Sequence, residues 1–303
     1  MSAGTARMHA RPPSRRALLA AALGCCAAPL ALRAQPAPTT AAAAGLPRLV
    51  TVSGAITEVV YALGAEAQLA GTDTTSLYPA AALKTPKVGY LRQLSAEGVL
   101  SLRPDAVIAT TEAGPPVVLD QLRGAGVKVE LVPSEYTWDD VRRKVQAVGR
   151  AARREDAARA LQARLDAEWA QLGREVAQAA AGRPAPRVLF VLSHGPSAQV
   201  GGQGTAGDAL IRFAGGVNAL TGFTGYRPMT AEALASSAPD FILTTTQGIE
   251  ALGGPQKFWQ RPELALTPAY QQRALIALDA LLLMGFGPRL PQAVRALHAR
   301  LYP

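Results

Sequence analysis

From residue 48 onward, short apolar runs alternate with stretches in which apolar residues recur every three or four positions. Arg48-Leu49-Val50-Thr51-Val52 predicts a strand. Ser53-Gly54 then opens a helix on Ile56, Val59, Val60 and Leu63 that stops at Gly64. Leu69 to Asp73 predicts a second strand, Asp105 to Thr110 a buried one, and Val127 to Val132 another, ended by Pro133. Pro79 to Pro86 reads as loop or short helix, Pro116 to Arg123 as a helix stopped by Gly124, and Trp138 to Ala152 as a helix. Strands and helices in turn over about 100 residues give an α/β lobe with a mostly parallel sheet.

Arg154 to Ala181 follows a different pattern. Ala157, Leu161, Leu165, Trp169, Leu172 and Val176 form one stripe without proline, with Gly173 the only internal breaker. A straight helix of that length spans about 40 Å, too long for a crossover on one small sheet and suited to a strut. Beyond it, Arg187 to Leu192 predicts a strand followed by a glycine-rich turn. Ala206 to Ala214, Thr230 to Ser237 and Pro291 to Leu301 predict helices, and Phe241 to Thr246 and Leu275 to Leu278 strands. The fold class is α/β: two Rossmann-like lobes with mostly parallel sheets, joined by a single long α-helix. The expected divisions are residues 1–34 (export signal), 35–46 (linker), 47–152 (first lobe), 153–182 (inter-lobe helix) and 183–303 (second lobe).

The two lobes share a repeat. SAEGVLSLRPDAVIATT, Ser95 to Thr111, and TAEALASSAPDFILTTT, Thr230 to Thr246, keep Ala-Glu, Pro-Asp and Thr-Thr at identical spacing. Ser95 and Thr230 are N-cap types, which puts Glu97 and Glu232 in the first turn of a helix, where negative charge is favoured. One such glutamate is ordinary helix-dipole chemistry. Two in matching places on two lobes are read as a pseudo-symmetric pair of exposed acidic points.

Composition narrows the class. Hydrophobic residues make up 49% and charged residues 17%, which suits a soluble globular chain. The formal charge of +9 is misleading, because Arg7, Arg11, Arg15, Arg16 and Arg33 fall in the first 34 residues, where there is no acid. The remaining 26 basic and 22 acidic residues leave +4 without a long basic run, so no nucleic-acid partner is expected. Ser14-Arg15-Arg16-Ala17-Leu18-Leu19 followed by small apolar residues reads as an export signal, cleaved after Leu32-Arg33-Ala34. Arg-Arg before Leu-Leu fits a twin-arginine signal, and a Sec signal with incidental arginines fits the same residues. Both cysteines, Cys25 and Cys26, lie in this segment, so the exported chain carries no disulfide. Acylation of Cys25 would make a lipoprotein, but Ala22 stands where a bulkier residue is expected.

Few residues offer chemistry. Gly202-Gln203-Gly204-Thr205-Ala206-Gly207 spells G-x-G-x-x-G, but no acid lies near 20 positions on to hold a ribose. It reads better as a tight turn before a helix, whose free amides could still hold an anion. An exported α/β enzyme using this loop on a phosphate-bearing substrate is the reading from another class. Metal-site histidine and cysteine spacing and a nucleophile elbow are absent from the sequence, so no catalytic residue is assigned. Tyr90 follows Gly89 on a turn, with Arg92 two residues on. It is either an exposed turn tyrosine or a phenolate ligand to ferric iron, with Arg92 favouring the anion. His194 ends the second lobe's first strand, where open α/β sheets place ligands. It is either structural or a second iron ligand facing Tyr90.

VGYLRQLSAEGVLSLRPD, VLSHG, GQGTAGDALI, YRPMTAEAL and MGFGPRLP carry a resemblance over nearly all of residues 47 to 303. The chain resembles the periplasmic haem-binding proteins of bacterial haem-uptake ABC transporters. The resemblance implies a helical-backbone periplasmic binding protein with little hinge motion, ferric haem between the lobes as transported ligand, one molecule or two, and no catalytic cycle. It implies Tyr90 as axial ligand, Arg92 as its partner or a propionate contact, and His194 as a further ligand. It places Arg227 and Arg289 as propionate contacts, with Tyr226, Gly202 and Gly204 at the cleft. Glu97 and Glu232 match the glutamates that dock on an inner-membrane permease dimer, with the binding protein a monomer in the periplasm. Cousins on the same fold bind corrinoids or ferric siderophores, and a Tyr-x-Arg turn suits ferric haem better than a corrinoid.

Overall fold

The computed structural model describes residues 45–194 and 197–303, so the expected export signal, with Cys25, and most of the expected linker lie outside the described residues. In the first lobe the elements are β1 (Leu49–Val52), α1 (Gly54–Ala62), β2 (Leu69–Thr72), β3 (Gly89–Tyr90), β4 (Gln93–Leu94), α2 (Ala96–Leu100), β5 (Ala106–Thr110), α3 (Pro116–Gly124), β6 (Lys128–Val132) and α4 (Trp138–Ala151). The strut is α5 (Glu155–Ala180). The second lobe has β7 (Arg187–His194), β8 (Ser197–Gly201), α6 (Ala206–Phe213), β9 (Val217–Asn218), β10 (Tyr226–Pro228), α7 (Ala231–Ser237), β11 (Phe241–Thr245), α8 (Thr246–Ala251), α9 (Pro255–Phe258), α10 (Pro268–Gln272), β12 (Leu275–Leu278), α11 (Ala280–Met284) and α12 (Leu290–Leu301).

The first sheet runs β2-β1-β5-β6, parallel throughout. The second runs β10-β8-β7-β11-β12, with β9 also on β7. Its β7, β11, β12 and β9 pairings are parallel, while β8 and β10 are antiparallel. The glycine-rich turn expected after Leu192 is therefore wrong in detail. The strand continues to His194 and returns as β8, whose Ala198 and Val200 are buried on either side of exposed Gln199. Five residues with two glycines just beyond give too weak an alternation to read as a strand.

Local chemistry accounts for the helix boundaries. Thr137 and Asp140 form a reciprocal capping box at α4, with Asp140 N–H donating to Thr137 Oγ1 at 3.2 Å and Thr137 N–H to Asp140 Oδ2 at 2.8 Å. The expected stripe of α5 is buried at Leu161, Leu165, Leu172 and Val176, and truncating Leu165 or Leu172 to alanine should cost about 2–5 kcal/mol. Trp169 of α5 stacks on Trp138 of α4 at 4.6 Å and meets Phe213 of α6 edge-on at 4.9 Å. The strut thus ties both lobes together through three rings.

Each sheet packs an outer core of its own. Val50, Val107, Leu119 and Leu122 belong to one, and Leu189, Val191, Ile242 and Phe258 to the other. A third core, with Ile56, Ile108, Val145, Leu165, Phe190, Leu210, Leu290 and Leu297, is continuous across both lobes. Residues 45–303 accordingly form one compact unit. Two polar clasps reinforce this join. Arg289 Nε and Nη2 donate to Glu58 Oε2 and Oε1 at 2.9 and 2.5 Å, and Lys144 Nζ donates to the Phe286 carbonyl at 2.9 Å.

Candidate functional site

The carboxyl ends of the parallel strands of both sheets open onto one cleft of ≈ 410 Å³ between the lobes, the position where open α/β folds place ligands. Its floor is set by a buried polar chain. Thr51 and Thr57 hydroxyls lie 2.7 Å apart, Thr57 and Ser76 hydroxyls 2.7 Å, and Ser76 Oγ donates to Asp73 Oδ1 at 2.8 Å. Asp73 and Thr75 also accept from the Ser53 and Gly54 amides at 3.1 Å each. The start of α1 is therefore capped from the segment after β2, not by the Ser53 side chain. Side chains cannot be added there freely, since a Cβ on Gly54 would stand 2.7 Å from Leu281 of the other lobe.

Tyr90 and Arg92 sit on the β3–β4 hairpin, where Gly89 pairs with Leu94 and Tyr90 with Gln93. Gly89 takes φ +101°, which a residue with a Cβ rarely adopts. Tyr90 is 40% exposed and lines the cleft. Arg92 Nη1 points at the Tyr90 hydroxyl at 3.5 Å while Nη2 donates to Glu112 Oε1 at 2.6 Å. Burial works against the Arg92 charge, but the hydrogen bond and charge of Glu112 hold its pKa above the ordinary value. Ser134 Oγ stands 3.5 Å from the other Glu112 oxygen. Tyr136, in the left-handed region at φ 58°, rests its ring edge-on against Phe286. Burial and the nearby Glu112 carboxylate push its phenol up to about 12. From the second lobe Leu192, Leu281, Met284 and Tyr226 complete the lining. Burial pushes the Tyr226 phenol well up.

The structure thus brings Tyr90, Arg92 and Tyr226 to one cleft and leaves other expected residues elsewhere. The His194 backbone closes β7 two residues beyond the cleft residue Leu192, and its side chain lies outside what the structure describes. Arg227 follows Tyr226 on β10 and so faces the other way, as strand alternation requires. Its guanidinium covers the Phe223 ring at 4.6 Å, in a separate hollow beside Thr230. Arg289 lies at a different inter-lobe pocket, with a bidentate bond to Glu58 and its guanidinium 3.6 Å over the Tyr78 ring.

Gly202 and Gly204 are not among the cleft-lining residues. Gly202 is small because a Cβ would stand 2.4 Å from the Phe223 carbonyl oxygen, and Gly204 turns at φ +70°. Two of the amides that an anion at this loop would use are already engaged. Asp208 N–H is taken by Thr205 Oγ1 at 3.2 Å, Gly204 N–H by Asp208 Oδ2 at 3.3 Å, and Asp208 places a buried carboxylate where a phosphate would approach.

Glu97 and Glu232 are both exposed, in the first turns of α2 and α7. Ser95 Oγ accepts from Gly98 N–H at 3.3 Å, as its N-cap position predicts. The repeat is structural too: β5 lies between β1 and β6, and β11 between β7 and β12.

Sequence reasoning missed Glu112, Tyr136, Glu58 and Lys144. Glu112 stands two residues past β5, at the carboxyl edge of the sheet, a placement that could have flagged it. A larger hollow of ≈ 700 Å³ lies at the opposite edge of the first sheet, by Pro104, Lys128 and Arg150, but it gathers none of the expected ligand side chains. Among the described residues no cluster of three or more His, Cys, Asp or Glu could hold a metal ion. Among the same residues no helix is long and apolar enough to cross a membrane.

Residues 49–282 match the periplasmic binding protein family. The chain is similar to the solved periplasmic haem-binding protein BhuT in complex with two haems, at 47% identity and a TM-score of 0.79, over 84% of this chain and 98% of that one. It is similar to the periplasmic haem-binding protein RhuT from Roseiflexus sp. RS-1 in apo form, at 38% identity and a TM-score of 0.81, over 85% and 98%. It is also similar to the vitamin B12-binding protein of Vibrio vulnificus (strain CMCP6), at 25% identity over 78% of this chain and 84% of that one.

Proposed function

The chain belongs to the periplasmic binding protein family, and we propose that it carries ferric haem to an inner-membrane ABC importer, held in the inter-lobe cleft by Tyr90. The observation that carries this reading is the Tyr90 phenol on the cleft wall with Arg92 3.5 Å away and Glu112 fixing Arg92 from behind. A ferric porphyrin is held by an axial ligand on iron, for which a tyrosine phenolate serves, by apolar walls against its faces and by cations on its propionates. Tyr90 offers the first, Leu77, Leu91, Leu192, Leu281 and Met284 the second. Arg92 is the cation present, and it serves either the phenolate or a propionate.

The support for haem over a corrinoid is twofold. Identity is 47% to a haem-binding protein along nearly its whole length against 25% to a vitamin B12-binding one, and the Tyr-x-Arg hairpin supplies an iron ligand that a corrinoid does not call for. Exposed Glu97 and Glu232, one on each lobe, would meet arginines of a permease dimer. Continuity of the shared core favours capture and release without wide lobe opening. We take the cargo to be one haem or two, with His194 as the further ligand.

A visible-spectrum titration of the purified protein with hemin, and separately with cobalamin, tests the assignment. A saturable Soret band with high-spin ferric character is expected for hemin, and its end point counts the haems. Saturable binding of cobalamin with non-saturating absorbance for hemin would move the cargo to a corrinoid.

A further inference from the structure

The repeated unit extends beyond the matched sequence. In the first lobe Arg48, just before β1, donates from Nη2 to the Leu102 carbonyl at 2.9 Å and from Nε to the Arg103 carbonyl at 3.3 Å. Its backbone N–H donates to Asp105 Oδ2 at 2.7 Å, and the Asp105 N–H donates back to the Arg48 carbonyl at 2.9 Å. In the second lobe Arg187, the first residue of β7, donates from Nε and Nη2 to the Ser237 carbonyl at 3.0 and 2.8 Å. Its N–H donates to Asp240 Oδ2 at 2.8 Å, and the Asp240 N–H donates back to the Arg187 carbonyl at 2.8 Å. The residue just before each Pro-Asp pair is left-handed and not glycine: Arg103 at φ 48° and Ala238 at φ 39°. Such corners cost about 1–3 kcal/mol and persist only where neighbours hold them.

The helices these corners end are short, five residues in α2 and seven in α7. Isolated helices below about 12–15 residues do not persist in water, so the direction of each is set from outside. The accepting carbonyls lie in the turn just past α2, at Leu102 and Arg103, and at Ser237, the last residue of α7, where a cation also suits the helix dipole. An arginine can bond two points at once with its fork, where a lysine ammonium is a single point. We propose that Arg48 and Arg187 are positioning residues for the docking surface: each clamps the chain where its helix ends, the turn after α2 or the last residue of α7, to the first strand of its sheet, so that Glu97 and Glu232 keep a fixed separation. This rests on reading those glutamates as the docking points.

The separation can be measured on the full chain with Cys25→Ser and Cys26→Ser, spin-labelled through Glu97→Cys and Glu232→Cys. A single narrow distance distribution is expected. Arg48→Met with Arg187→Met should broaden it, and Arg48→Lys with Arg187→Lys should recover part of the sharpness. Hemin titration of the same variants should keep its end point, which shows that the cleft has folded. An unchanged width in the methionine pair overturns the proposal. With the glutamates intact, the methionine pair should also lose about tenfold in affinity for the importer in nanodiscs, approaching the loss of Glu97→Lys with Glu232→Lys. If the charge-reversal pair loses affinity and the methionine pair does not, positioning is wrong and docking stands. If charge reversal has no effect, the docking reading falls and the proposal with it.

Discussion

Two Arg–Glu pairs stand near the lobe junction, one lining the cleft and one at a second pocket, and they differ mainly in burial. At the cleft mouth, Arg92 and Glu112 are 56% and 32% exposed and meet through one 2.6 Å bond. Behind it, Arg289 and Glu58 are 19% and 5% exposed and meet through two. Burial, with a smaller push from the Asp279 charge, raises the Glu58 carboxyl, and the Arg289 guanidinium pulls against that shift. Charges taken that far from water tolerate no change of partner. The buried pair is a lock between α1 and α12. The exposed pair is adjustable: water screens it, and Arg92 keeps a second direction, toward Tyr90. The difference teaches that an arginine near a ligand site is read by what already holds it.

The largest effect that could break this contrast comes from Arg289→Ala. It leaves Glu58 buried and unpaired, and should cost about 3–5 kcal/mol in urea unfolding. Glu58→Met with Arg289→Met removes both charges and should come back to near the parent. A single variant as mild as the double would mean that the pair is not a lock.

Next is the other clasp. Burial pushes the Lys144 amine from 10.5 down to about 8. The folded chain then gives up this proton at lower pH than the unfolded chain. Protonation of the amine is therefore penalised in the fold below about pH 8, and that penalty fades as pH rises from about 8 to about 10.5. The stability of the parent relative to Lys144→Met should therefore climb across that window, by up to the order of 3 kcal/mol. A flat difference would mean the amine titrates at its ordinary value.

The exposed pair should behave in the opposite sense. Arg92→Ala should change unfolding by about 0–1 kcal/mol, yet weaken hemin binding by about tenfold or more, since it removes a charge-assisted contact. It also leaves Glu112 facing the phenol, so Arg92→Ala with Glu112→Gln should bind hemin better than Arg92→Ala alone. Equal affinities would show that Glu112 does not act through Arg92. The smallest effect is expected of Arg227→Ala. With its guanidinium on Phe223, it should cost less hemin affinity than Arg92→Ala, and an equal loss would return Arg227 to the cleft.

Much of the fold was legible in the chain because its periodicities are strong. The α5 stripe and the apolar β5 and β11 each carry enough buried residues to declare themselves. What stayed hidden depends on pairing at a distance. The return strand β8 becomes regular only against β7. Tyr90-x-Arg92 could be found because both residues lie on one hairpin. Glu112 could not be tied to it, being 20 residues away, and Glu58 and Arg289 are separated by 231. Strand alternation also gave a usable warning: Tyr226 and Arg227 are neighbours in β10 and cannot both face the cleft.

The central claim is that ferric haem is held through the Tyr90 oxygen. Tyr90→Phe keeps the ring and removes only that oxygen, so a hemin titration of this variant beside the parent is the most direct test. A parent with a saturable high-spin Soret band, and a variant whose band is shifted and whose affinity is greatly weakened, is the predicted result. Superimposable spectra and titration curves would contradict it and place the ligand on another residue.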